Sequence, residues 1–197
     1  SQGLTWFLDP DHPESKKHIC EIVHYMAKMG WKYFKFDFTY AISTLRVKYD
    51  RKKTSFETHR DLYRLLRQAV GEDAVICACI GGNFRYPLGL VDTARCGSDN
   101  GNDFDSVKTA IMDNISRLYT HNVWWLADPD VYYMRSTHSR LTLEESWMLA
   151  GTFGLLGQVF FTSDYPSQWT DEAKKRVRLF WNREGIAIPE KVDMIES

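Results

Sequence analysis

Gly30-Trp31-Lys32-Tyr33-Phe34-Lys35-Phe36-Asp37-Phe38, residues 30–38, decides the fold. Gly30 stops a helix, Lys32 to Phe36 is a short run that reads as a strand, and a carboxylate follows at once. Working outward, His12-Pro13 opens the preceding helix, in which Ile19, Ile22, Val23, Met26 and Ala27 recur at helical spacing. Leu4 to Leu8 reads as a strand before it. On the other side, Thr39 to Lys53 is an irregular excursion whose basic run, Arg46 to Lys53, reads as a solvated surface. A helix follows from about Phe56, with Leu62, Leu65, Leu66 and Ala69 on one face and Gly71 at its end, and then a third strand, Ala74 to Cys79.

The same alternation continues to the end of the chain. Gly81-Gly82 breaks the pattern, and a short strand is expected around Thr93 to Gly97. Phe104 to Tyr119 has helical period and Val123 to Leu126 reads as the fifth strand. Thr142 with Glu145 forms a capping-box pattern for a helix to about Leu156, and Gln158 to Thr162 is the sixth strand. Thr170, followed by Asp171 and Glu172, caps the last helix, to about Trp181.

Strands alternating with helices predict βα units around a parallel sheet. The reading finds about six such units, where a closed (β/α)8 TIM barrel has eight. An open doubly wound sheet is the alternative, but the Gly-x-Gly-x-x-Gly turn of its best-known nucleotide-binding form is absent. The expected fold is therefore an α/β partial barrel over residues 1–185, followed by a linker or tail at 186–197. The missing units are expected before Ser1 in the same barrel, or from another chain that completes it.

With 197 residues, 44% of them apolar, the chain can bury one sizeable core, and a net charge of −1 gives no electrostatic footprint for nucleic acid or an anionic membrane. No apolar run is long enough to span a bilayer and no signal peptide is evident, so a soluble protein is expected, with the cytoplasm favoured. Cys20, Cys77, Cys79 and Cys96 show neither CxxC pairs nor zinc-type spacing. Aromatic residues make up 14% of the chain, including seven Trp, which suits either a large core or a sugar-stacking cleft.

The informative regularity is where aspartates fall. Asp9, Asp37, Asp99, the pair Asp128 and Asp130, and Asp164 each follow an expected strand, and in a parallel barrel all such positions lie at the rim that carries catalytic groups. Asp9 and Asp164 read equally well as N-caps or turn formers. Zinc chemistry would place histidines at this rim, yet only His12 lies near a strand end, whereas a magnesium site remains compatible with carboxylates. The acidic segments would repel a phosphate. A neutral, hydroxyl-rich substrate processed by two carboxyl groups, as in glycoside hydrolysis, fits best. Lys35 lies two residues before Asp37, on the same side of the strand, where a cation favours the ionised carboxylate that a nucleophile needs.

Tyr33-Phe34-Lys35-Phe36-Asp37-Phe38 resembles the Lys-x-Asp strand of the melibiase-type α-galactosidases, the clan holding glycoside hydrolase families 36 and 27. Arg95-Cys96-Gly97-Ser98-Asp99 is similar to that family's Arg-x-x-x-Asp segment, and Asp128-Pro129-Asp130 and Thr162-Ser163-Asp164 occur where similar segments do. Cys79 and Gly81-Gly82 look like the loop that faces the sugar's 2-position. The resemblance implies strands 3–8 of the family barrel, Asp37 as nucleophile and Asp99 as general acid/base of a retaining α-galactosidase. It implies Lys35 and Arg95 as sugar contacts, Cys79 at the 2-position, and Trp6 and Trp125 as pocket walls, with Asp9 a further binding candidate.

No metal or organic cofactor is implied, and the partner would be an α-linked galactoside or another neutral carbohydrate. The chain departs from the family in two respects: Phe38-Thr39 follows the nucleophile where bacterial family 36 enzymes have Asn-Arg, and the Asp-Asp pair that grips the 4- and 6-hydroxyls lies on a strand absent here. Another α-glycoside of the wider clan stays open, as do a carbohydrate-binding or structural barrel without activity and a metal-dependent lyase or isomerase.

Overall fold

In the computed structural model residues 7–45, 47–80, 84–135, 137–156 and 159–181 are described. They form two compact units, Ser1–Ala94 and Arg95–Ser197.

In the first unit, helix α1 (Pro13–Lys28) begins with Pro13 at its first position, while the His12 ring accepts the Glu14 N–H at 3.2 Å. Its end is a Schellman turn: the Gly30 N–H reaches the Ala27 carbonyl, the Trp31 N–H reaches that of Met26, and Gly30 takes φ +97°. That turn delivers the chain into strand β1 (Tyr33–Phe36). A 3-10 helix, Thr39–Thr44, occupies part of the excursion read as irregular.

Helix α2 (Ser55–Val70) starts on a capping box between Thr54 and Glu57 and stops at Gly71, φ +82°. Strand β2 (Val75–Ala78) pairs parallel with β1, Tyr33 opposite Val75 and Phe36 opposite Ala78. Strand β3 (Thr93–Arg95) pairs parallel with β2 through Thr93 and Ala94. Helices α1 and α2 pack together, and Phe34, Leu62, Tyr63, Leu66, Ile76 and Ala78 are buried. Parallel strands joined by helices are the βα units that the periodicity predicts. Of the strand expected at Leu4 to Leu8, residues 4–6 lie outside the described residues, and Phe7 and Leu8 are not in a strand.

The second unit holds α3 (Phe104–Ser116), β4 (Leu126–Asp128), β5 (Val131–Tyr132), α4 (Leu143–Leu155), β6 (Phe161–Thr162) and α5 (Asp171–Trp181). Asp103 caps α3 by accepting the Ser106 N–H at 3.0 Å, and the Thr142–Glu145 capping box opens α4 as its sequence indicates. The Thr170 hydroxyl accepts the Ala173 N–H at 3.1 Å in the first turn of α5.

The fifth strand differs from its expected place. Trp124 lies in a turn, closed by its N–H on the Thr120 carbonyl, Trp125 makes an isolated bridge to His121, and the strand begins at Leu126. Pro129 offers no N–H and Asp130 takes φ +77°, so extended pairing stops at Asp128 and resumes as β5, parallel to β6. Val107, Tyr132, Leu149, Phe153, Trp169 and Val177 form the buried apolar centre of this unit.

Candidate active site

In the first unit β1 alternates as a strand with one buried face should. Phe34 is buried and stacks on Phe36, whereas Lys35 and Asp37 share the opposite parity and are both exposed. The backbone turns sharply after Asp37: Phe38 has φ +55°, and its N–H donates to Asp37 Oδ1 at 2.6 Å. A left-handed conformation at a bulky residue is strained and needs support from outside the turn. That support comes from Thr39, whose hydroxyl meets the Tyr63 hydroxyl of α2 at 2.9 Å in a fully buried contact. Burial pushes the Tyr63 hydroxyl above its ordinary pKa, and the negative charge of Asp37 adds to the effect.

Cys79 is buried beyond the end of β2, with its N–H on the Phe36 carbonyl at 3.0 Å. Gly81 and Gly82, read with it as one loop, lie outside the described residues, as does Trp6. Asp9 spends both carboxylate oxygens on backbone N–H groups, those of Asp11 at 2.9 Å and Tyr49 at 2.6 Å. It ties down the segment around Tyr49, which is the turn-forming alternative for this residue.

In the second unit Arg95 is the hub. Its side chain, 5% exposed, holds Asp99 Oδ1 at 2.8 Å and Asp130 Oδ1 at 3.1 Å through the guanidinium. The two carboxylates differ in environment, because the Asp99 side chain is 98% exposed and that of Asp130 only 12%. Asp130 Oδ2 accepts the Asn100 N–H at 2.9 Å, and Asp130's own N–H donates to Asp128 at 2.8 Å. The Asn100 amide donates to the carbonyls of Pro129 and Val131, and Tyr133 donates to the Asn100 carbonyl at 2.7 Å.

Asp99 thus stands in solvent on a backbone pinned by its neighbours. The sequence carries little signal for Asn100 and none for Tyr133, and its spacing marks Asp130 as a rim carboxylate without pointing to Arg95 as its partner.

The remaining candidate positions are enclosed within this unit. Asp164 has a fully buried carboxylate that accepts N–H groups from Met134, Arg135 (3.0 Å) and the Trp169 indole (2.9 Å), and pairs with the Arg135 guanidinium at 3.2 Å. Trp125 is 4% exposed, edge-on to Trp124 and beside the Cys96 thiol, so its ring packs in the interior of this unit. Burial raises that thiol to about 11. Among the described residues no group of three or more His, Cys, Asp or Glu side chains is arranged to hold a metal ion, and no helix is long and apolar enough to cross a membrane.

No protein-family profile matches the chain. Solved structures do. Two similar ones are of TtGalA, the α-galactosidase from Thermus thermophilus. In the complex with stachyose the match has a TM-score of 0.67 and 25% identity, covering 88% of this chain and 39% of that one. In the complex with p-nitrophenyl α-D-galactopyranoside the TM-score is 0.74 and the identity 26%, over 90% of this chain and 38% of the other. The chain therefore spans less than two-fifths of the length of the enzyme it matches. Its parallel βα units form a partial (β/α) barrel that is similar, over about nine-tenths of this chain, to part of an α-galactosidase.

Proposed function

We propose that this chain supplies catalytic barrel units of a retaining glycoside hydrolase acting on terminal α-galactosides. The observation that carries the proposal is the likeness, in sequence and fold, to an α-galactosidase seen with two α-galactosides bound. The local geometry adds support, since Asp37 and Asp99 each present an exposed carboxylate shortly after a parallel strand.

In the reaction so proposed, an Asp37 carboxylate oxygen attacks the anomeric carbon while Asp99 gives its proton to the leaving oxygen. A covalent galactosyl ester forms and the glycosidic bond breaks. Asp99, now ionised, takes a proton from water, whose oxygen attacks the same carbon from the vacated face. Asp37 leaves and the sugar departs with its configuration retained. Lys35 and Arg95 would hold sugar hydroxyls, with Cys79 facing the 2-position. Two carboxyl groups suffice for this chemistry, so the proposal includes no metal or organic cofactor. Further barrel strands, from the same polypeptide or another chain, would complete the site.

The alternative is a barrel that binds carbohydrate or serves structure without turnover. Hydrolysis of p-nitrophenyl α-galactoside by the longest polypeptide containing this chain decides between them, beside Asp37→Ala with and without azide. The proposal expects activity, its loss in the variant, and partial rescue by azide with a β-galactosyl azide as product. Absence of turnover by the folded wild-type protein, here and across other α-glycosides, with sugar binding intact, would favour the alternative.

A further inference from the structure

We propose that Asp130 is a positioning residue for proton donation: it holds Arg95 and the Asn100 backbone so that Asp99 is aimed at the leaving group. The inference rests on the reading of Asp99 as general acid/base. Four observations converge on Asp130. It adopts φ +77°, a left-handed conformation that a non-glycine residue keeps only where the surroundings impose it. Its side chain is nearly buried, and both carboxylate oxygens are committed, Oδ1 to Arg95 and Oδ2 to the Asn100 N–H. Those two partners flank Asp99 in opposite senses: Arg95 grips its carboxylate, and Asn100 is the next residue along the chain. The strained backbone at Asp130 is itself held by Asp128 Oδ1.

The arrangement has a clear physical logic. Arg95 paired with Asp99 alone would leave the guanidinium able to follow that exposed carboxylate wherever it turns. Asp130 competes for the same guanidinium, fixes it in place, and balances part of its charge. Asp99, anchored from behind through Asn100 and held at Oδ1 by Arg95, then presents Oδ2 to the space where a leaving oxygen would lie. Tyr133 acts at one remove, through its hydrogen bond to the Asn100 carbonyl.

The test compares leaving groups in the full-length polypeptide. Departure of a sugar, as from stachyose, needs the proton, whereas departure of p-nitrophenolate hardly does. Because kcat/KM reports the galactosylation step, Asp130→Asn is expected to lower it for stachyose by at least roughly tenfold more than for p-nitrophenyl α-galactoside, a fraction of the 10²–10⁴ typical of general acid catalysis. Tyr133→Phe, a milder change that keeps the protein folded if Asp130→Asn does not, is expected to show the same bias at smaller size.

Asp99→Ala supplies the reference and should show the largest bias. Equal losses on both substrates in the Asp130 and Tyr133 variants, with Asp99→Ala biased, would overturn the positioning role alone. A lack of bias in Asp99→Ala would instead overturn the reading of Asp99, and the role of Asp130 with it.

Discussion

Gly151 and Gly154 lie one turn apart on α4, both facing Phe180 of α5, and the structure assigns opposite signs to the same substitution at the two sites. A Cβ at Gly151 would meet the ring at 3.7 Å and 3.9 Å, ordinary contact with its far edge. A Cβ at Gly154 would lie 2.2 Å from Cδ1, 2.4 Å from Cγ and 2.9 Å from Cβ of Phe180. Carbon atoms are comfortable at about 3.5–4.0 Å, so the second clash exceeds 1 Å and falls on the root of the side chain, where ring rotation gives little relief.

Replacing glycine by alanine inside a helix gains about 0.5–1 kcal/mol. Nothing opposes that gain at Gly151, and Gly151→Ala is expected to stabilise the protein by about that amount. At Gly154 an overpacking cost of about 1–3 kcal/mol or more outweighs it, for a net loss of about 1–2 kcal/mol. Urea unfolding of the two variants, followed by tryptophan fluorescence and compared at equal slope, reads both signs. Phe180→Ala should remove most of the Gly154→Ala penalty in the double variant, a coupling that independent sites do not show. Gly154→Ala as stable as Gly151→Ala would refute the packing described for α4 and α5.

Two further predictions concern buried ionisable groups in the first unit. His59 is 1% exposed, stacked 4.2 Å from Tyr86 and 5.6 Å from Tyr63, with no hydrogen bond from the described residues to either ring nitrogen. Burial lowers its pKa to about 4. The unfolded chain takes up a proton near pH 6.5 that the native state refuses, so stability should fall by up to roughly 3 kcal/mol as pH drops from 6.5 to 4. His59→Phe should flatten that part of the pH dependence of the urea midpoint, and an unchanged slope would contradict the assignment.

Asp11, its side chain 2% exposed, is held by Lys53 at 2.8 Å and Thr58 at 2.6 Å. Burial pushes its carboxyl up, but these hydrogen bonds and the lysine charges prevail and hold it below the usual range. Its stabilisation is therefore present at neutral pH and lost as pH falls through the acid range. Lys53→Met should cost about 2–3 kcal/mol, much of it recovered in Lys53→Met/Asp11→Asn, where no unpaired buried charge remains. Additive losses in thermal or urea unfolding would count against the pair.

What was legible in the sequence was local. Gly30 and Gly71 end helices because each takes positive φ, and Thr142 and Thr170 begin them because their hydroxyls reach N–H groups within one turn. Thr54 and Glu57 carry the same capping-box signature as Thr142 and Glu145, and it sets the start of α2 at Ser55, one residue before the apolar pattern begins. The β4–β5 break follows from Pro129, a local signal overshadowed by the apolar run before it.

What was not legible depends on residues brought together by packing. Arg95 meets Asp130 and Tyr133 meets Asn100 across more than thirty residues of sequence, and no spacing rule encodes either contact. The same holds for Trp125, whose indole suits a sugar wall or a core equally until the turn at Thr120 sets its direction. Asp9 and Asp164 looked alike beside Asp37, yet each has its carboxylate filled by backbone N–H donors, which only the fold reveals.

The most direct test of the central claim is covalent trapping. A 5-fluoro-α-galactosyl fluoride forms its galactosyl ester readily and loses it slowly, so incubation with the full-length polypeptide followed by proteolysis and mass spectrometry locates the nucleophile. The account predicts one added fluorogalactosyl group, carried by the peptide containing Asp37 and attached to that residue. Attachment to a different carboxylate, or turnover of an α-galactoside with inversion and no adduct, would contradict it.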